Sequence, residues 1–62
     1  MIEIIHTDGS QTLVHNATGF KFNDYLSMFL VYTSGGNEVH FPAHSVMAIG
    51  KVIATPEGYV YE

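Results

Sequence analysis

Few side chains in this sequence can act as acids, bases or metal ligands: four histidines, six carboxylates and two lysines, with no cysteine and no arginine. His40 and His44 stand four apart, with Glu38 two residues before them. That spacing puts two imidazoles on one face of a helix. Pro42 lies between them and breaks the helical premise, because proline lacks the backbone donor and clashes with the preceding turn. A zinc centre needs three or four ligands in tetrahedral reach, and without thiolates it would draw on His40, His44 and Glu38. These residues read instead as the polar rim of a turn, and no metal is expected. A small ligand, if one binds, would find His40 and His44 as its polar contacts.

Nucleophilic catalysis pairs an activated side chain with a base. Ser45 adjoins His44, but neighbours on a turn do not make a Ser–His pair, and Ser10, Ser27 and Ser34 lie in no elbow motif. Gly35-Gly36 is followed by neither a lysine nor a helix start, so it reads as a turn and not as a phosphate loop. Ligand and substrate pockets enclose roughly 300 Å³ or more, which a small barrel of 62 residues has no interior to supply. The expectation is a protein that is not an enzyme and carries no cofactor. Asn16-Ala17-Thr18 matches the glycosylation triplet, a pattern that also arises by chance.

The net charge of −4 argues against nucleic acid as a partner, since phosphate binding relies on lysine and arginine. Anionic membrane surfaces are disfavoured for the same reason. The longest apolar run, residues 28–32, falls far short of the roughly 20 residues that span a bilayer as a helix. The opening MIEIIHTDGS carries an acid at position 3 and no basic region, unlike a signal peptide. A cytoplasmic protein is expected, and the lack of cysteine is compatible with a reducing compartment.

Turn signals divide the chain. Asp8-Gly9 sits between IEIIH and QTLVH, a strong hairpin signature. Breaks follow at residues 16–19, 34–37 and 55–58 among β-branched and aromatic runs. This reads as a single all-β domain over residues 1–62, a small antiparallel meander or barrel of five to six short strands. The strands are expected at residues 2–6, 11–15, 20–33, 38–41, 46–53 and 59–62. Residues 20–33 are long for one strand, so a bend or bulge near Asn23-Asp24 is expected. A rival reading makes Asp24 an N-cap and residues 25–33 a short helix. Near-continuous apolarity favours strand, because a surface helix would show a polar face. Pro42 should end its strand and start one tight helical turn. A strand, a proline-started turn and a second strand are similar to the SH3-like and Sm-like small barrels. That likeness implies an architecture only.

Alternation along residues 25–33 sorts the side chains onto two faces. Leu26, Met28, Leu30 and Tyr32 form a nearly uniform apolar face, assigned to the core. Tyr25, Ser27, Phe29, Val31 and Thr33 mix aromatics with hydroxyls, a composition suited to an interface. Only Glu38 is charged between Asp24 and Lys51, and small domains bury a modest fraction of their surface. The uncharged strand is therefore expected to be covered by a partner, most simply a second copy. The function this supports is non-catalytic, homo-oligomeric binding or regulation. Another protein is recognised through Tyr25, Phe29 and Val31 or through a sheet edge. Two alternatives stand beside it: a small-ligand binding or sequestering protein with its site between subunits, and a structural subunit of a ring-like assembly.

Overall fold

A computed structural model describes all residues 1–62, and it is built from strands and turns with one short helical turn. The strands are β1 (Ile2–His6), β2 (Gln11–Val14), β3 (Ala17–Asn23), β4 (Met28–Thr33), β5 (Glu38–Pro42), β6 (Val46–Thr55) and β7 (Gly58–Tyr61). They form two antiparallel sheets, one of order β2-β1-β6-β7 and one of order β3-β4-β5. No strand of one sheet is paired with a strand of the other, so the sheets stay open and do not close into a barrel. The terminal strands do not pair with each other either, since β6 lies between β1 and β7.

Local chemistry explains most boundaries. The β1–β2 hairpin turns through Gly9, whose φ of +87° belongs to the left-handed region that glycine enters without a Cβ clash. The Gly9 N–H donates to the His6 carbonyl, and the His6 N–H donates to the Ser10 carbonyl. Asp8 tightens the turn by accepting from the Ser10 N–H (2.8 Å) and hydroxyl (2.6 Å). Those two bonds hold the Asp8 carboxyl below its ordinary pKa of 3.8. Pro42 is the last residue of β5, one beyond the expected end. It is tolerated because β5 is a sheet edge and needs no donor on its open side. The expected turn follows as a 3₁₀ turn, Ala43–Ser45, with the Ser45 hydroxyl donating to the Pro42 carbonyl at 2.9 Å.

The expected long strand at residues 20–33 is instead a hairpin. Residues 24–27 form a turn between β3 and β4, and Asn23 opposes Met28 across it. The Asn23 Oδ1 accepts from the Leu26 N–H at 3.0 Å, so a side-chain carbonyl takes the place of the backbone one that closes a four-residue turn. Ser27 completes the reversal at φ +52°. The bend sensed at Asn23-Asp24 is thus a full reversal, and it raises the strand count to seven.

The core lies between the sheets. Ile2 and Ile4 of β1 meet Val31 of β4, all essentially buried, with Val14, Ala17, Phe20, Phe41, Val46 and Ile49 packed around them. No helix is long and apolar enough to cross a membrane.

Candidate interaction surface

The three side chains expected to share an exposed face do not share one. Tyr25 stands at the tip of the β3–β4 turn, 92% exposed. Phe29 lies on β4 opposite Phe22, with ring centroids 5.1 Å apart, and is partly buried. Val31 is fully buried between the sheets, so it belongs to the core and not to an outer face. The turn at residues 24–27 removes Tyr25 and Leu26 from the strand. Phe29 and Val31 keep the expected alternation, and it is the packing of β4 on Ile2 and Ile4 of β1 that turns Val31 inward. The face with Phe29 and Val31 points at β1. Leu30, on the opposite face, is nonetheless buried at the centre of its sheet, flanked in register by Lys21 and His40. Leu26, expected in the core, is 51% exposed beside Tyr25.

His40 projects from exposed β5, with its Nε2 3.1 Å from a Glu38 carboxylate oxygen two residues away. His44 lies on the exposed 3₁₀ turn. No three His, Asp or Glu side chains converge as a metal cluster. His6 hydrogen-bonds through Nε2 to the Thr12 hydroxyl at 2.7 Å, across the first hairpin, and its ring sits 6.0 Å from that of Phe41.

One polar cluster has only a faint sequence signal. Glu3 sits between Ile2 and Ile4, so strand alternation turns it to the face of β1 away from the core. It is 8% exposed there, and its two carboxylate oxygens accept separately from the Gln11 amide and the Tyr61 hydroxyl. Tyr61 reaches Glu3 across Gly50, the residue paired with Glu3 on β6. A Cβ at position 50 would lie 3.2 Å from the Tyr61 ring, so glycine leaves room for the phenol to lie flat. A lone acid between two isoleucines marks Glu3 as special, but a partner 58 positions away is not legible from spacing.

The four sheet edges differ. The β3 edge carries Lys21 and a register shift between Ala17 and Gly19, while the β5 edge carries Glu38, His40 and Pro42. Charges, bulges and prolines are the devices that keep an edge strand from pairing with another chain. β2 is partly buried. β7 has none of these protections: Gly58-Tyr59-Val60-Tyr61 is regular, uncharged and exposed at every residue.

The chain matches no protein-family model, no curated protein and no solved structure.

Proposed function

We propose that this protein is a non-catalytic, homo-oligomeric binding or regulatory protein, acting in the cytoplasm, that recognises another protein through uncharged aromatic surface. The observation that carries the reading is the β3–β4 hairpin tip, where Tyr25 and Leu26 stand side by side in solvent on a short turn braced by Asn23. Exposed apolar side chains grouped on a protruding turn are a common mark of a binding site, and tyrosine is enriched among the residues that dominate interfaces. Phe22, near the end of β3 and leading into that turn, is also half-exposed. Phe29 supports Phe22 from β4 and contributes packing rather than direct contact.

Quantitative affinity capture from the source cells tests this, comparing wild type with the double substitution Tyr25→Ser and Leu26→Ser. A defined protein retained by wild type and lost by the variant supports the reading. Equal retention of every captured protein overturns it. Native mass spectrometry of the same preparations reads out the small-ligand alternative, which requires extra mass per subunit.

A further inference from the structure

We propose that β7 is the self-association edge of this protein, and that a second copy of the chain pairs with it antiparallel about a two-fold axis at Val60, joining two four-stranded sheets into one of eight strands. The proposal deepens the oligomeric part of the function above and rests on it.

The backbone fixes the register. The Glu62 N–H donates to the Lys51 carbonyl at 2.9 Å, toward β6. In an antiparallel ladder, inward and outward backbone groups alternate residue by residue. Val60, opposite Ile53, therefore bonds toward β6, whereas Tyr59 and Tyr61 aim their N–H and C=O groups away from it. These four groups lie symmetrically about Val60. A second β7 running antiparallel, with Val60 opposite Val60, meets all four at once: each Tyr59 exchanges two bonds with the other copy's Tyr61. A closed two-fold contact of this isologous kind uses the same patch on both subunits.

The side chains agree with that register. Ile53 and Val60 are cross-strand neighbours on the sheet face that carries Ile49, and both are about half exposed. β7 lies two strand positions beyond β1, the strand whose isoleucines pack against the second sheet, so that sheet leaves Ile53 and Val60 uncovered. Two copies place four such aliphatic side chains in a row across the junction. Tyr59 and Tyr61 fall on the other face, where each tyrosine opposes a tyrosine, a cross-strand pairing that stabilises sheets. No charge opposes a like charge: Glu62 lies across from Lys51 of its own chain and would face Gly58 of the other copy. The Tyr61–Glu3 hydrogen bond holds the strand in place for pairing.

The test is sedimentation velocity of wild type, Val60→Lys and Val60→Glu, alone and mixed. Wild type should sediment as a dimer. Each single variant should fall to half that mass, because like charges stand directly opposite at the axis. An equimolar mixture of the two should recover the dimer. Circular dichroism of each variant checks that the fold survives. Val60→Cys supplies an independent reading, since the chain has no cysteine of its own. A non-hydrogen-bonded antiparallel pair brings Cα atoms to about 4.5 Å, within the range a disulfide spans, so mild oxidation should give a covalent dimer. A wild-type dimer that both charge variants leave intact, and that Val60→Cys does not cross-link, overturns the edge assignment while leaving the oligomer standing. A wild type that is monomeric at all concentrations overturns both.

Discussion

At the scale of single residues, the least expected feature is a carboxylate nearly withdrawn from solvent in a sheet that has few charges to offer it. Glu3 is held by two donors from opposite sides of the sheet, Gln11 from β2 and Tyr61 from β7. The arrangement ties both edges of the four-stranded sheet to β1. It also perturbs the phenol: donation to the Glu3 carboxylate, with lesser effects of burial and of the nearby negative charge, raises the Tyr61 pKa above its ordinary 10.0. A raised folded-state pKa means that the contribution is complete below pH 10.0 and is lost as the pH rises through the shifted value. Tyr61→Phe should therefore be less stable than wild type at pH 7–9, and the difference should shrink above pH 10.0. Urea denaturation at intervals across that range measures it. No stability difference at any pH would mean that Tyr61 acts only through its ring, which phenylalanine keeps over Gly50.

At the scale of elements, the β3–β4 hairpin decides where every side chain of the apolar segment points. Asp8-Gly9, Gly36 and Gly58 are glycine turns that a sequence announces, and each is a reversal at positive φ. The turn at residues 24–27 has no glycine: it rests on the Asn23 side chain and on Ser27 at φ +52°, between the strand-favouring aromatics Phe20 and Phe22 and the run from Phe29 to Thr33. The class of fold, the first hairpin and the proline-started turn were therefore legible, while the faces of β4 were not. One missed reversal moved Tyr25 and Leu26 off the strand, and the packing of β4 against β1, which no local pattern specifies, put Val31 in the core. The sandwich itself depends on which strands sit side by side, and β6 between β1 and β7 is a non-local choice that local patterns do not encode. Ser27 tests the account of the turn. A left-handed conformation costs a non-glycine residue about 1–2 kcal/mol, and glycine loses part of that gain to its freer unfolded chain. Ser27→Gly should leave stability unchanged or raise it by up to about 1 kcal/mol. Ser27→Val, β-branched and poorly suited to positive φ, should lower it by about 1–2 kcal/mol. Chemical denaturation midpoints measure both, and a Val substitution without cost would show that the turn tolerates another conformation.

At the scale of the whole molecule, the fold is thin and its core is small. The chain extends 39 × 28 × 15 Å, and its buried apolar side chains are Ile2, Ile4, Leu30, Val31 and Val52. Domains of this size are usually reinforced by disulfides, metals or association, and cysteine is absent here. Pairing through β7 would add backbone hydrogen bonds and cover Val60 and the two tyrosines, so a share of native stability would come from the second copy. Mass action then makes the melting temperature depend on protein concentration, because two unfolded chains replace one folded dimer. A hundredfold rise in concentration is worth about 2.7 kcal/mol per dimer. Against an unfolding entropy of roughly 2.1 cal/mol/K per residue over both chains, that shifts the midpoint by about 10 °C. Calorimetry across a hundredfold range of concentration measures the shift directly. Val60→Lys should flatten the dependence and melt below wild type at the highest concentration. A wild-type midpoint that stays constant over the range would mean that the small core and the Glu3 cluster suffice alone, and β7 would then be an edge protected by nothing but its shortness.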